Sequence, residues 1–274
     1  MLAKGPSLPA DALILDLEDA VPPEGKSAAR ARVAEWLESV SCPADRLVRI
    51  NPLDSEWGRD DLAAILPARP DGFVIPKVTG GRALGEIDSL LSELELAHGQ
   101  ERGSNRLVAI ATETPRATFS VEAIGDGPRI AGLTWGSEDL SAALGATHTR
   151  GRDGRYLPVF EMVRQLTLLA AHAAGVAAVD GVYTDFRDEA GLVAEAEEAA
   201  ASGFTGKLTI HPSQIEPVNR AFTPSPEAIE SASAMLAAYE RHRADGRGAF
   251  AFEGQMIDAP HVARARLLVQ RARS

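Results

Sequence analysis

The chain has 274 residues, with 28 Lys and Arg against 39 Asp and Glu, so its formal net charge is −11 at pH 7. Hydrophobic residues make up 45% and charged residues 24%, a balance typical of globular proteins that argues against general disorder. The acidic surplus argues against a nucleic-acid partner, because phosphate-backbone binding needs clustered Lys and Arg. We expect no membrane partner, since no apolar run approaches the roughly 20 residues of a span. The single cysteine, Cys42, forbids an internal disulfide and predicts a cytoplasmic protein.

Seven short aliphatic runs predict buried strands. They cover residues 12–17, 47–51, 72–78, 107–112, 130–135, 176–183 and 207–210. Between most of them lie Ala-, Glu- and Leu-rich stretches with helical spacing. A repeated strand–helix order predicts a parallel sheet, because each crossover must return over one face before the next strand can pair. An open doubly wound sheet and a closed (β/α)8 barrel both fit this pattern.

The last part of the chain has a different pattern. Ser225, Pro226 and Glu227 predict a helix start, since serine is a favoured N-cap and proline suits the first turn. This helix is expected to end near residues 245–248. A Gly- and Phe-rich loop is expected over residues 249–256, followed by a last helix over about 259–273.

Polar side chains cluster at the points where most of the predicted strands end. They lie at residues 16–19, 49–51, 76–77, 113–115, 137–139 and 211–212. The carboxyl ends of parallel strands meet at one rim, where ligands bind. Two acids from separate strands suffice for Mg²⁺, which takes one or two carboxylates plus water and substrate oxygens. The alternative is that each acid is a helix N-cap or first-turn residue.

One segment has the spacing of a phosphate-binding P-loop. Residues 20–27 match that motif except that Ala20 replaces its first glycine. Pro22 and Pro23 have no N–H group for a phosphate cradle. We therefore reject a P-loop and expect Lys26 to be a solvated first-turn residue.

Several ordered motifs resemble the citrate lyase β-subunit-like family of the HpcH/HpaI aldolase/citrate lyase superfamily, which includes malyl-CoA and citramalyl-CoA lyases. They are residues 15–21 (LDLEDAV), 48–51 (VRIN), 75–77 (IPK), 112–115 (TETP), 135–140 (WGSEDL), 206–207 with 210–214 (GK and IHPSQ), and 248–258 (GAFAFEGQMID). The resemblance implies a TIM (β/α)8 barrel over residues 1–222 that lacks the usual first strand. It implies that residues 223–274 form a helical extension or lid rather than an independent domain. Either the chain lacks that strand or the sequence starts at an internal methionine.

The resemblance also implies a reaction. Members use Mg²⁺ to make or break a carbon–carbon bond between an acyl thioester and a 2-oxo acid. Carried over residue by residue, it makes Glu113 and Asp139 the metal ligands, with Glu113 also facing the substrate. It makes Arg49 a catalytic residue that binds the substrate carboxylate, and Asp258 the catalytic acid/base.

Further expectations follow from the same resemblance. Glu18 and Asp19 would hold metal-bound water. The substrate would be a malyl-, citramalyl- or citryl-type thioester presented by CoA or an acyl carrier protein, and the protein would be a homo-oligomer, as a trimer. Three alternatives stay open: the β subunit of a citrate lyase complex that acts on citryl-acyl carrier protein, a CoA-independent aldolase, and a non-catalytic metal-binding homologue.

Overall fold

The structure is a computed structural model that describes residues 2–244 and 249–272. The chain forms two compact units, Met1–Val218 and Asn219–Ser274. Among the described residues, no helix combines the length and the apolar character needed to cross a membrane.

The first unit contains seven parallel strands that pair in the order of the chain. They are β1 (Ala12–Asp16), β2 (Asp45–Arg49), β3 (Gly72–Ile75), β4 (Arg106–Ile110), β5 (Ile130–Thr134), β6 (Ala177–Asp180) and β7 (Gly206–Lys207). All seven predicted strands are confirmed, and each ends one to three residues earlier than predicted. The apolar runs extend past the hydrogen-bonded strands because Leu17, Ile50 and Val78 remain buried in the loops that follow.

The order of the strands distinguishes between the two folds that the sequence left open. A doubly wound sheet reverses its strand order at a switch point, whereas here every strand pairs with its neighbour in the chain. Strands β1 and β7 are the two edges, and no pairing joins them among the described residues. The result is the seven-stranded parallel arrangement expected of a (β/α) barrel without its first strand.

Helices lie between these strands and after β7. They are α1 (Lys26–Ser39), α2 (Gly58–Ile65), α3 (Gly81–Ala97), α4 (Pro115–Thr118), α5 (Val121–Gly125), α6 (Ser137–Leu144), α7 (Pro158–Ala174), α8 (Glu189–Ser202) and α9 (Ile215–Phe222). In α7 the buried residues Phe160, Val163, Thr167 and Ala170 recur every three or four positions, so one face of the helix is buried.

A buried charge cluster holds the ends of β5 and β6 together. Asp180, the last residue of β6, is fully buried and accepts a hydrogen bond from Trp135 Nε1 at 2.9 Å. Arg164 Nε and Lys207 Nζ donate to the same carboxylate at 3.0 and 2.8 Å. These cations keep the pKa of Asp180 low although burial acts to raise it. The cluster therefore fixes Trp135, which directly follows β5 and leads into α6.

The second unit contains α10 (Pro226–Ala244) and α11 (Ala259–Arg271). The predicted start of α10 is confirmed, since Ser225 Oγ accepts the N–H of Ala228 at 3.2 Å. The predicted helix end at residues 245–248 lies outside the described residues, as does residue 273.

The predicted loop over residues 249–256 is wrong. These residues form most of an antiparallel hairpin of β8 (Phe250–Phe252) and β9 (Gln255–Ile257). Glu253 and Gly254 make its two-residue turn with φ of 47° and 78°, the left-handed pair that suits a tight hairpin. Phe250 and Ile257 pack into a small core with residues of α10 and α11, and that burial stabilises the strands.

Candidate active site

The ends of β1 and β2 join an arginine to an aspartate. Asp16 and Arg49 are register partners on neighbouring strands. Arg49 Nε and Nη2 donate to the two oxygens of Asp16 at 2.8 and 2.6 Å. The pKa of Asp16 lies below its usual value. Burial acts to raise it, but the lowering effect of Arg49 and of the backbone N–H groups of Glu18 and Ala20 is larger. The aspartate therefore orients the guanidinium and leaves three of its five N–H groups for other partners.

Glu18 is a buried carboxylate with only one satisfied oxygen. Its side chain is 4% exposed, and Oε1 accepts a hydrogen bond from Lys77 Nζ at 2.6 Å. Oε2 lies 3.1 Å from Arg49 Nη1 but has no hydrogen-bond partner among the described residues. Burial raises the pKa of Glu18, against the opposing effect of the two cations. This oxygen is available to a further polar or cationic group.

Lys77 connects several of the predicted acids. It lies two residues after β3, and its backbone has a left-handed φ of 52°. Its N–H donates to Glu113 Oε2, while its ammonium bonds Glu18 and lies 3.5 Å from Asp139 and 3.9 Å from Asp19. The loops after four different strands thus meet at one lysine.

Glu113 follows β4 by three residues and is buried. A Cβ atom on Gly136 would stand 2.7 Å from Glu113 Cγ, so only glycine lets the loop after β5 approach this closely. Burial raises the pKa of Glu113 to about 8; the N–H of Lys77 opposes this rise, and the charges of Asp139 and Glu18 add to it. Glu113 is therefore a buried carboxyl group with two other acids close to it.

Asp139 fits both interpretations that the sequence left open. It lies in the first turn of α6, where an acid is favoured by the helix dipole. It also reaches the rim, where its Oδ1 lies near the ammonium of Lys77. Its side chain is 37% exposed, which leaves room for a ligand.

The expectation that Lys26 is solvated is wrong. Its side chain is buried, and Nζ donates to the carbonyl oxygens of Leu17 and Glu18 at 2.8 and 2.7 Å. The Trp57 ring lies 5.2 Å from the ammonium. The two hydrogen bonds to the carbonyls and the contact with Trp57 therefore make Lys26 a structural residue that holds the loop after β1 in place. Its P-loop-like spacing contained no signal of this role.

The predicted residues Arg49, Glu18, Asp19, Glu113 and Asp139 are thus all connected at the carboxyl ends of the strands, whereas the roles assigned to them stay predictions. Two neighbours were missing from the predicted site. They are Asp16 and Lys77. Both lie inside the motifs at the ends of their strands, and this position in the sequence could have indicated that they belong to the site.

Asp258 lies in the second unit as the N-cap of α11. Its Oδ1 is 2.5 Å from His261 Nδ1, and this hydrogen bond lowers the pKa of the carboxyl. The same hydrogen bond fixes the orientation of the carboxylate at the start of α11. Its role as the catalytic acid/base stays a prediction.

The arrangement at the rim fits a hard divalent cation. No group of three His, Cys, Asp or Glu side chains is preorganised around a metal position within residues 2–244 and 249–272. Mg²⁺ does not need such a group, because it retains several waters and binds one or two carboxylates. Glu113 and Asp139 offer oxygen ligands only, and Glu18 Oε2, which accepts no hydrogen bond from the described residues, lies in the same cluster.

Comparison with known proteins agrees with this geometry. The sequence pattern of the HpcH/HpaI aldolase/citrate lyase family matches residues 1–212. The chain belongs to this family. The predicted resemblance is therefore confirmed.

Two relatives and one solved structure illustrate the similarity. The chain is 38% identical to a (3S)-malyl-CoA thioesterase of Cereibacter sphaeroides, over 99% of this chain and 90% of the relative. It is 37% identical to the mitochondrial citramalyl-CoA lyase of Mus musculus, over 100% of this chain and 82% of the relative. The structure of CitE from Mycobacterium tuberculosis, in complex with magnesium, acetoacetate and coenzyme A, superposes with a TM-score of 0.82 at 35% identity, covering 97% of this chain and 91% of that one.

Proposed function

We propose that the protein is a Mg²⁺-dependent carbon–carbon lyase that cleaves a 3-hydroxy-carboxyacyl thioester of the malyl, citramalyl or citryl type into an acyl thioester and a 2-oxo acid. The observation that supports this most directly is the rim cluster, in which buried Glu113 and partly exposed Asp139 both contact Lys77 and so lie close to each other. Membership of the family and similarity to a citramalyl-CoA lyase support the same reaction.

Glu113 and Asp139 are the residues that would hold the Mg²⁺. When bound, the metal supplies a Lewis acid for the hydroxyl and carboxylate oxygens of the substrate. Arg49 would bind the substrate carboxylate through N–H groups that Asp16 leaves free, in the orientation that the two Asp16 hydrogen bonds impose. Glu18 and Asp19 would hold water at the metal.

Cleavage moves one proton and one electron pair. A base removes the proton of the 3-hydroxyl group, the C2–C3 bond breaks as the C=O of the 2-oxo acid forms, and the electron pair passes to the thioester as an enolate. The same group then protonates the enolate carbon. We assign this group to Asp258 in the C-terminal lid, residues 223–274, because the resemblance of the segment Met256–Asp258 to the family places the acid/base there.

The test is metal-dependent cleavage of malyl-, citramalyl- and citryl-CoA by the purified chain. Glu113→Ala and Asp139→Ala should each lose activity and Mg²⁺ binding, because two carboxylates supply the protein's share of the ligands. Glu93→Ala on the exposed face of α3 is the matched control. Full cleavage by a variant that no longer binds metal would refute the proposal.

A second candidate reaction is hydrolysis of the thioester. It is favoured by the 38% identity to a protein named (3S)-malyl-CoA thioesterase. The two reactions differ in their products, since cleavage of malyl-CoA yields acetyl-CoA and glyoxylate, whereas hydrolysis yields malate and a free thiol. Measuring the thiol and the 2-oxo acid in the same sample decides between them.

The way the substrate is presented is part of the proposal. Similarity to CitE, solved with coenzyme A, supports CoA as the carrier. Activity on an acyl carrier protein alone would favour the citrate lyase β subunit, and cleavage of a free hydroxy-oxo acid would favour the CoA-independent aldolase. Metal binding without any turnover would identify a non-catalytic homologue.

We further propose a cytoplasmic homotrimer. The single cysteine is consistent with a reducing compartment, and the trimer rests on the family resemblance. Light scattering coupled to size-exclusion chromatography measures the mass of the particle directly.

A further inference from the structure

Lys77 contacts the acid cluster through two separate groups. Its backbone N–H donates to Glu113, and its ammonium bonds Glu18 at 2.6 Å and lies 3.5 Å from Asp139. Glu113 and Asp139 are the two proposed metal ligands. Together with the guanidinium of Arg49, which pairs with Glu18, the ammonium therefore neutralises part of the cluster.

The backbone at Lys77 shows that this placement is held against a local preference. Its φ of 52° lies in the left-handed region, which costs a residue with a Cβ roughly 1–2 kcal/mol. Glycine or asparagine would adopt that conformation more readily. Strain of this kind persists where surrounding contacts hold it, and such positions are concentrated at functional sites.

The side chain of Lys77 is positively charged. The ordinary pKa of a lysine amine, about 10.4, makes it an ammonium at neutral pH, and its neighbours Glu18, Asp139 and Asp19 are acids. A divalent cation that binds Asp139 meets this positive charge within a few ångströms, and like charges at that range repel each other.

We propose that Lys77 sets the affinity of the site for its divalent cation, because the ammonium competes with the metal for Asp139. The inference rests on the proposed function, since it takes Glu113 and Asp139 as the metal ligands. The Lys77 side chain thus lowers the affinity for the metal, and removing it tightens metal binding. A residue that only stabilised the loop would have the opposite effect.

The test is isothermal titration of the full chain with MgCl₂ alone, without substrate. Lys77→Met removes the charge and keeps most of the side-chain volume, and we expect it to bind Mg²⁺ about tenfold more tightly than wild type, the scale set by one unit charge close to a divalent ion. Lys77→Arg keeps the charge and should stay within about twofold of wild type by the same argument. Arg32→Met, at an exposed position of α1, controls for the change in net charge.

Each result has a defined meaning. Tighter binding by Lys77→Met but not by the two other variants supports the competition. Equal or weaker binding by Lys77→Met, with wild type binding normally, overturns the role of Lys77 and leaves the metal site intact. Absence of Mg²⁺ binding in wild type and every variant refutes the proposed function itself. If Lys77→Met does not fold, Lys77→Asn removes the same charge in a residue that tolerates the left-handed backbone.

Discussion

Glu113 is expected to destabilise the metal-free protein. Burial and the neighbouring acids raise its pKa from 4.5 to about 8. The folded protein therefore binds the proton of the Glu113 carboxyl group more tightly than the unfolded chain does. The contribution of the carboxyl to stability is fully present below pH 4.5 and is lost as the pH rises to about 8. With 1.36 kcal/mol per pKa unit, the loss is about 3 kcal/mol at pH 7 and about 5 kcal/mol above pH 8.

Glu113→Gln removes this charge and keeps an oxygen to accept the N–H of Lys77. In EDTA, urea unfolding of the variant and of wild type should give similar free energies near pH 5. The variant should become more stable by about 3 kcal/mol near pH 7 and by more near pH 9.

Saturating Mg²⁺ should reverse that order, because a metal that binds only the folded state stabilises wild type. Glu93→Gln, at an exposed position, is the control. A Glu113→Gln protein that is less stable than wild type at every pH would show that the carboxylate is compensated in the metal-free state. The reasoning from burial would then be wrong.

Two further variants test neighbouring parts of the site. Lys26→Met should lower the free energy of unfolding by about 2 kcal/mol, because it removes two hydrogen bonds from a charged donor, although the Leu17 carbonyl keeps Asn51 Nδ2 and the Glu18 carbonyl keeps the N–H of Val21. Urea unfolding measures this, and a loss no larger than that of Arg32→Met would contradict it. Asp258→Asn should keep Mg²⁺ affinity and substrate KM while reducing kcat by about 100-fold or more, the scale of general acid–base catalysis. Steady-state kinetics checks this, and an unchanged kcat would place the acid/base elsewhere.

The seven strands were predictable because burial on both faces of a parallel sheet requires continuous apolar runs, which are visible in a single sequence. Most of the candidate site was predictable for a related reason. Arg49 lies at the end of such a run, Glu113 and Asp139 follow one, and parallel strands bring their carboxyl ends to one rim.

The hairpin of β8 and β9 was not predictable in the same way. Its strands have three residues each, too few for a repeating pattern. They are stabilised by the packing of Phe250 and Ile257 against residues of α10 and α11. Such contacts join positions distant in the chain, and no local pattern contains them.

The sequence by itself determined the parallel architecture, the family and the acids at the strand ends, because each depends on the identity and spacing of nearby residues. Only the tertiary structure decided what each charge faces. Lys26 is buried and holds the loop after β1 in place because its ammonium donates hydrogen bonds to two carbonyls of that loop. Lys77 became the centre of the site because a left-handed turn directs its N–H to Glu113 and its ammonium to Glu18. The energy of a charge depends on its distance from other charges and from water, and folding sets both.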